Sequence, residues 1–410
     1  MDAFHGTAQP QVFISRTALL HNVKLLRQSL AANVKICAMI KADAYGHASS
    51  IIADALTNWS MDQIEAPAVD ALAVVTIDEA LEVGRTSVPV IVLQALESDS
   101  IAHQRDALGS ALHNGCTLTV ATAQGAQDLA RVAIAAAVRA NVQVMIDTGC
   151  AREGTPIDSL PRVLAAIESY PSLKLTGLCT HFVSSEEPGN PLSVEQLRQF
   201  TSATASYALH NPEVLRHAAN SAAVFFWPST HLDMVRPGIS LYGIDPTCRP
   251  NCQRPLRPVM KWLAPLVMIR QIKKGATVGY NQTWTATRDT RIGLVPVGYA
   301  DGYSRSFSNR AKMILHGKPV PVVGRVSMDY ATVDLGDLPE ACVGDPATVL
   351  DNDPLSPASA YALAELAGTI PYELFCRIGA RVRRTAVDPA DAQENAPWSI
   401  QASTSAAKSA

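Results

Sequence analysis

The sequence predicts an α/β protein in which a (β/α)8 TIM barrel is followed by a mainly antiparallel β domain. Two observations predict this fold. Over residues 1–246 short apolar runs alternate with longer segments of helical periodicity, whereas residues 247–387 carry short β-rich runs separated by Gly, Pro and Asp. Strands that alternate with helices are typical of parallel sheets, and short strands joined by turn residues are typical of antiparallel sheets.

The first region contains eight apolar runs of strand length. They are VKICAMI (34–40), ALAVV (71–75), VPVIVL (88–93), TLTV (117–120), VQVMI (142–146), LKLTGLCT (173–180), EVLRHA (213–218) and LDMVRPG (232–238). Helix signals lie between them, as in TIDEALEVG (76–84), where acidic residues open a helix and Gly84 ends it. Eight β/α units suit a closed parallel barrel. An open doubly wound sheet is the main alternative, but it would show fewer strands and a Gly-rich first turn, and GxGxxG is absent.

The pattern changes after about residue 245. The proline-rich segment 247–258 predicts a connection. Beyond it lie the β-rich runs PLVMIRQI (265–272), RIGLVPVG (291–298), KPVPVVGRVSM (318–328) and ATVDL (331–335), with helical spacing only around 357–368. A first strand near 11–15 is a candidate member of this β domain. Residues 388–410 are rich in Ala, Ser and Gln without periodicity, which predicts a disordered tail.

Composition and charge exclude several classes of function. Apolar residues make up 48% of the 410 residues and the net charge is −3, so the chain has ample core and no basic surplus for a nucleic acid. The apolar run 132–138 is far shorter than the ~20 residues of a membrane span. The first residues show no targeting signal, and the eight cysteines include no CxxC pair. We therefore expect a cytoplasmic protein with reduced thiols and without a metal site.

Candidate site residues follow several predicted strands at the barrel edge where chemistry collects. They are Lys41, Asp147, Arg152, His181, Asn220, Ser221, Arg236, Gly238 and Ile239. Hydroxyl and backbone N–H donors suit a phosphate, and a lysine after a buried strand suits a covalent bond to a carbonyl group. Together they suggest pyridoxal phosphate. Plainer interpretations stay open at this point: a solvated lysine, a core histidine, an arginine in a salt bridge and a serine that caps a helix.

Local motifs favour the cofactor hypothesis. The segment IKADAYGHA (40–48) resembles the pyridoxal-phosphate signature of alanine racemases, a fold-type III family. The resemblance continues in order through IDTGCAREG (146–154), CTHFVSSEE (179–187), QLRQF (196–200), HAANSAA (217–223), VRPGISLYG (235–243), VGY (278–280), PVGYADGYSR (296–305), VGRVSMDY (323–330) and TIPYELFCRIGARVRR (369–384).

The resemblance implies roles for the cofactor-binding residues. Lys41 is expected to hold pyridoxal phosphate covalently and to serve as one of two catalytic bases. Arg236 is expected to donate to the pyridine nitrogen, and His181 to pack against the ring and to link to Arg236. The positions that match the phosphate site are Tyr45, Ser221, Gly238, Ile239 and Tyr372, and Asn220 is grouped with Ser221.

The same resemblance implies a homodimer whose active sites are shared across the interface. Tyr280 matches the second base and Met328 a residue of the substrate carboxylate site, both from the partner subunit. Arg152 also lines that carboxylate site, and Tyr299 lies in the substrate-side GYADG motif. Racemisation removes a Cα proton from one face and returns it to the other, which one base cannot readily do. A lysine on one face and a tyrosine on the other therefore form a two-base pair.

The chain departs from the family at Met145. Many alanine racemases have a lysine two residues before the Asp of the DTG motif, and its carbamate holds the substrate-binding arginine. A thioether cannot be carbamylated. We expect either that nothing replaces the carbamate, or that a bound anion such as chloride or a nearby carboxylate positions Arg152.

Several functions remain open alongside an alanine racemase that supplies D-alanine for peptidoglycan. They are a catabolic alanine racemase, a broad-specificity amino-acid racemase of the same fold, a pyridoxal-phosphate carrier built from the barrel alone, a decarboxylase of the same cofactor fold, and a binding module that keeps the cofactor but has lost activity.

Overall fold

The computed structural model describes residues 9–58, 67–187, 189–251 and 253–387. Contacts divide the chain into two compact units. One is Leu19–Leu256, and the other joins the residues up to Ala18 with those from Arg257 onward. The predicted tail at 388–410 lies outside the described residues. Among those that are described, no helix has the length and apolarity to cross a membrane, and no group of three or more His, Cys, Asp or Glu residues is arranged to hold a metal ion.

The strands, in chain order, are β1 (Gln11–Ser15), β2 (Lys35–Met39), β3 (Ala71–Val74), β4 (Val90–Leu96), β5 (Thr117–Val120), β6 (Ala140–Asp147), β7 (Thr155–Pro156), β8 (Leu173–Cys179), β9 (Leu215–His217), β10 (Met234–Val235), β11 (Met260–Pro265), β12 (Met268–Ile272), β13 (Thr277–Val278), β14 (Trp284–Thr285), β15 (Thr290–Val295), β16 (Lys312–Leu315), β17 (Lys318–Pro321), β18 (Ala331–Asp334), β19 (Pro346–Leu350) and β20 (Arg383–Val387).

The helices are α1 (Arg16–Gln28), α2 (Lys41–Gly46), α3 (Ser49–Thr57), α4 (Ile77–Val83), α5 (Ser98–His103), α6 (Arg105–His113), α7 (Ala123–Ala135), α8 (Leu160–Glu168), α9 (Pro191–His210), α10 (Ser221–Phe226), α11 (Ala360–Ala367) and α12 (Pro371–Cys376).

The first unit is the predicted parallel barrel, which is confirmed. Its strands follow the order β5-β4-β3-β2-β10-β9-β8-β6, and parallel pairing of β5 with β6 closes the ring. Each predicted apolar run supplies one of these eight strands. Strands β3 and β5 are buried along their whole length, as expected where helices cover the outside of a parallel sheet.

The helix predicted at 76–84 illustrates how the sequence sets the barrel connections. Helix α4 begins after Thr76, whose hydroxyl accepts the N–H of Glu79, while the Glu79 side chain returns to the Thr76 backbone. This reciprocal capping box satisfies donors that a helix start leaves open. Gly84 ends the helix with φ of 71°, a conformation that favours glycine.

The second unit is the predicted, mainly antiparallel β domain, which is also confirmed. Its largest sheet has the order β17-β16-β19-β11-β1-β20, beside a three-stranded sheet β12-β15-β18 and the hairpin pair β13–β14. Strand β1 pairs antiparallel with β11 and parallel with β20, so the first strand of the chain lies inside this sheet. Helix α11 occupies the predicted helical stretch. Helix α12, which starts at Pro371, was not predicted.

Candidate active site

Lys41 stands at the carboxyl end of β2 and opens α2, which is a left-handed turn and not a regular α-helix. Ala42, Asp43, Ala44 and Tyr45 have φ angles of 53°, 51°, 54° and 55°. Each non-glycine residue in this conformation costs about 1–2 kcal/mol. The turn therefore needs support from the structure around it.

Two carboxylates supply part of that support. The Glu79 side chain accepts the backbone N–H of Ala42 at 2.7 Å and, through its other oxygen, that of Val75 at 2.7 Å. The Asp43 side chain accepts the N–H of Ser49 at 2.7 Å. The backbone after Lys41 is thus attached to the end of β3 and to the start of α3. Sequence analysis recognised Glu79 only as part of a helix start.

Tyr45 packs closely against the segment that follows β10. A Cβ atom on Gly238 would lie 2.4 Å from the Tyr45 hydroxyl, so the close approach requires glycine. The rings of Tyr45 and Tyr242 lie 4.9 Å apart, and the Tyr242 hydroxyl donates to the Met39 carbonyl at 2.8 Å. The left-handed turn and the residues after β10 therefore form one packed layer at the strand ends.

The predicted phosphate-binding residues of the barrel meet at this layer. The Ser221 hydroxyl oxygen accepts the backbone N–H groups of Gly238 at 2.8 Å and Ser240 at 3.3 Å, and Ile239 lies buried between them. Asn220 caps α10, because its side-chain oxygen accepts the first free N–H groups of that helix. Hydroxyls and N–H groups at a helix start suit a phosphate.

Arg236 is buried, and its hydrogen-bonded histidine is His217. The Arg236 Nη1 atom lies 2.7 Å from His217 Nδ1 and donates to the His217 carbonyl at 2.8 Å, and Nη2 donates to the Thr180 carbonyl at 2.6 Å. The predicted link from Arg236 to His181 stays a prediction, since the hydrogen bonds of Arg236 described here go to His217 and to the Thr180 carbonyl. Met234 pairs in register with His217, and Arg236 follows two residues later on the same face of the strand.

This pairing fixes the protonation of His217. Burial and the nearby Arg236 charge hold the pKa of His217 well below its usual range, so the ring is neutral. Because Arg236 donates to Nδ1, the ring proton sits on Nε2. That atom is buried and has no hydrogen-bond partner among the described residues. Burial also lowers the pKa of Arg236 from its ordinary value.

His181 lies among the cations predicted for the site. Burial, followed by the charges of Arg236, Arg152 and Lys41, lowers its pKa to about 3. The charges of Lys41, Arg152 and Arg236 thus all act on this imidazole. His181 is neutral at physiological pH as a result. Its packing against a cofactor ring stays a prediction.

Met145 lies next to Arg152 in a small cavity at the end of β6. The Met145 thioether contacts the Cys179 thiol at 3.6 Å, and the cavity is also lined by Asp147, Glu153 and His181. Burial raises the pKa of Cys179 to about 11; Arg236 opposes this shift and the Glu153 charge adds to it. Glu153 therefore lies near the position that a lysine at 145 would fill.

Glu153 is also the ion-pair partner of Arg152. Its Oε1 atom lies 3.3 Å from Arg152 Nη2, while 59% of the Arg152 side chain is exposed. Of the replacements considered for a carbamate, the structure thus provides a nearby carboxylate. Residue spacing alone could have drawn attention to Glu153, since it follows Arg152 directly.

The remaining predicted residues belong to the second unit. Tyr280, Tyr299 and Met328 are exposed large side chains, with Tyr280 at 71%. The Tyr299 N–H donates to the Ser327 carbonyl at 3.1 Å, so the motifs carrying Tyr299 and Met328 lie together. Tyr372 lies in α12. The approach of these side chains to Lys41 stays a prediction.

Comparisons with known proteins agree with this geometry. Residues 14–246 match the family description "Alanine racemase, N-terminal domain", and residues 259–386 match "Alanine racemase, C-terminal domain". The alanine racemase of Chlorobaculum tepidum is 35% identical over 386 residues, covering 93% of this chain and 97% of the relative. The alanine racemase of Desulfovibrio desulfuricans is 34% identical, covering 92% of this chain and 97% of the relative.

Solved structures give the same assignment. The alanine racemase of Clostridium difficile 630 superposes with a TM-score of 0.83 at 29% identity, over 94% of this chain and 97% of the other. The alanine racemase from Streptomyces coelicolor A3(2) superposes with a TM-score of 0.80 at 33% identity, over 93% of this chain and 99% of the other. The alanine racemase of Bartonella henselae superposes with a TM-score of 0.76 at 25% identity, over 93% of this chain and 100% of the other. That structure is described with covalently bound pyridoxal phosphate. This chain belongs to the alanine racemase family.

Proposed function

We propose that this protein interconverts L-alanine and D-alanine with pyridoxal phosphate held in the barrel unit. The observation that carries the proposal is the placement of Lys41, Arg236 and the donors at Ser221 at the carboxyl ends of the barrel strands, in a chain of this family. The charges of Lys41, Arg152 and Arg236 all act on His181 there. The donor chemistry fits the cofactor. The glycine-only contact between Gly238 and the Tyr45 hydroxyl leaves hydroxyl and N–H groups side by side, which suits a phosphate.

Each barrel residue has a distinct task in this proposal. Ser221, Tyr45 and the N–H groups after Arg236 hold the phosphate, and Lys41 supplies the amine that binds the cofactor carbonyl. When bound, pyridoxal phosphate draws electrons from Cα and makes its hydrogen acidic. Arg152 binds the substrate carboxylate, a role for which a guanidinium is well suited.

Arg236 sets the chemistry at the pyridine nitrogen. A guanidinium donates a hydrogen bond and stays charged at neutral pH, even though burial lowers its pKa. A cationic donor disfavours a proton on that nitrogen, whereas an aspartate there would favour one. The negative charge that builds up at Cα is then less stabilised, which favours return of the proton to Cα over transamination.

Two bases move the proton in this proposal. Lys41 serves one face of Cα and Tyr280 the other, with Tyr280 supplied by a second copy of the chain. The exposure of Tyr280, Tyr299 and Met328 supports a homodimer, because large exposed apolar groups are typical of interaction surfaces. The second unit also argues against a cofactor carrier, which would have the barrel alone.

The decisive experiment measures chiral products from each L-amino acid with the purified protein and pyridoxal phosphate. We expect D-alanine with the highest kcat/KM, and no activity from Lys41→Ala. Rejection of one extra methylene is worth only ~1–3 kcal/mol, so weak turnover of 2-aminobutyrate, which is one methylene longer than alanine, is compatible with the proposal. A higher kcat/KM for a longer side chain would favour the broad-specificity racemase.

The shared site has its own test. Tyr280→Phe and Lys41→Ala chains are each expected to be inactive. Hybrid dimers of the two contain one site with both native bases, so partial activity should return. Confirmed hybrids without recovered activity would contradict the exchange of Tyr280 between subunits.

The cellular role proposed is cytoplasmic supply of D-alanine for peptidoglycan. Deletion of the gene is then expected to make growth depend on added D-alanine. Growth that fails only on alanine as carbon source would favour the catabolic role.

A further inference from the structure

Arg381 joins two carboxylates that belong to different loops of the second unit. Its Nε atom lies 2.6 Å from an Asp301 oxygen, and its Nη2 atom lies 2.8 Å from an Asp329 oxygen. Asp301 follows Tyr299 by two residues, and Asp329 follows Met328 directly. One guanidinium therefore connects the two loops that carry the proposed substrate-side residues.

The Asp301 side of this bridge is buried and fully engaged. Asp301 is 4% exposed, and its second carboxylate oxygen accepts the Gly298 N–H at 2.9 Å. The Asp301 carbonyl accepts the N–H of Gly379 at 2.9 Å. The turn that carries Tyr299 is thus attached to the chain segment from which Arg381 projects.

The two loops also touch through their backbones. A Cβ atom on Gly298 would lie 2.2 Å from the Met328 carbonyl oxygen, so only glycine permits this approach. The N–H groups of Tyr299 and Ala300 donate to the carbonyls of Ser327 at 3.1 Å and Met328 at 3.0 Å. A change in the separation of Asp301 and Asp329 would break these contacts.

We propose that Arg381 is a positioning residue for alanine racemisation, because it fixes the separation of Tyr299 and Met328 through Asp301 and Asp329. Without it, two carboxylates would face each other and repel. A lysine has a single ammonium and cannot replace the planar fork that reaches both oxygens. The proposal rests on the proposed function and on the substrate-side roles that the family resemblance implies for Tyr299 and Met328.

The test compares Arg381→Lys and Asp329→Asn with Arg377→Ala in the cofactor-loaded full-length protein. Asp329→Asn removes the negative charge of the half-exposed arm and so weakens it without leaving a buried charge, and it should fold even if changes at Asp301 do not. Arg377 is a matched control, because its ion pair with Glu373 stays within the α12 segment. Hydrogen exchange, thermal midpoint, kcat and KM are measured for each.

We expect exchange at the amides of Tyr299 and Ala300 to become about tenfold faster in both test variants, with little change elsewhere in the unit. The KM for L-alanine should rise about tenfold, while kcat stays within about twofold. Arg377→Ala should match the native protein.

Four results would separate the possible failures. Unchanged exchange at these amides would overturn the proposal, as would unchanged KM with faster exchange. Faster exchange across the whole unit, with a lower thermal midpoint and native KM, would mean a structural role only and would also overturn it. An inactive native protein would reject the proposed function instead, and with it the role of Arg381 in racemisation.

Discussion

The Oε1 atom of Glu79 lies 2.7 Å from the backbone nitrogen of Ala42, the residue that follows Lys41. The same carboxylate accepts the N–H groups of Val75 and Thr76, so it joins the end of β3, the start of α4 and the lysine turn. Four left-handed residues at about 1–2 kcal/mol each make that turn costly. The direction in which Lys41 projects thus depends on a residue outside the family motif at 40–48.

Glu79→Ala should destabilise the protein by about 1–3 kcal/mol, because it leaves the backbone N–H groups of Ala42, Val75 and Thr76 without this acceptor and removes a support of the left-handed turn. Urea unfolding measures the loss. Glu82→Ala, an exposed position on the same helix, is the matched control and should change the free energy of unfolding by less than about 0.5 kcal/mol. Equal effects of the two substitutions would show that Glu79 does not support the turn.

Reduction of the cofactor-loaded protein with borohydride should place a pyridoxyl group on Lys41, because this lysine lies at the mouth of the barrel. Peptide mapping by mass spectrometry identifies the site. The protein should be yellow before reduction, and Lys41→Ala should remove the label while Lys35→Arg keeps it. A pyridoxyl group on another lysine would contradict the assignment.

The free energy of unfolding should decrease as the pH is lowered beneath about 6.5, since His181 and His217 are held neutral in the folded protein. The folded pKa of His181 is about 3 against an ordinary 6.5, and that of His217 is also lowered. At a pH between the ordinary pKa and the lowered pKa of each histidine, the unfolded chain binds a proton that the native state does not. Each histidine therefore contributes a slope of up to about 1.4 kcal/mol per pH unit, with stability lost as the pH falls.

Urea unfolding between pH 7.5 and pH 5 measures this slope. His181→Asn should reduce it, and substitution of the exposed His113 by Asn should not. The same slope in both variants would mean that His181 is not held neutral by folding.

Glu153→Gln should raise the KM for alanine by about two- to fivefold with a smaller effect on kcat, because Arg152 loses its ion-pair partner. The modest size follows from the partial exposure of the pair, since such pairs contribute about 0.2–1 kcal/mol. Steady-state kinetics test it, with Glu213→Gln as an exposed control. An unchanged KM would indicate that another group, such as a bound anion, holds Arg152.

Activity should not depend on dissolved CO2, because Met145 cannot form a carbamate. Assays in CO2-stripped and bicarbonate-supplemented buffers at matched pH and ionic strength should agree. Reproducible stimulation by bicarbonate would mean that another lysine has taken the role.

The fold and the grouping of the barrel site could be predicted because both follow from simple periodicities. Eight apolar runs separated by helices imply a closed parallel sheet, whose carboxyl ends meet at one edge. Lys41, His181, Ser221 and Arg236 each follow a strand, so their convergence required no knowledge of side-chain directions.

Three features of the site could not be predicted for physical reasons. The left-handed turn has no glycine before Gly46, so its residue types do not signal positive φ. The bond between Arg236 and His217 depends on strand register across β9 and β10. Glu79 fits a capping box on sequence grounds, and its bond to Ala42 arises only when distant strands meet.

The position of β1 between β11 and β20 bears on how the protein is made. Its second neighbour begins at Arg383, 368 residues after Ser15 (383 − 15). At about 5–20 residues per second, a ribosome needs roughly 20–70 s to deliver that neighbour. The edge of β1 that β20 will cover stays open throughout this interval, and an open apolar strand edge invites pairing with other chains. Strand β1 is thus among the last of its sheet to be enclosed, and a nascent chain that stalls before β20 leaves one edge of β1 open.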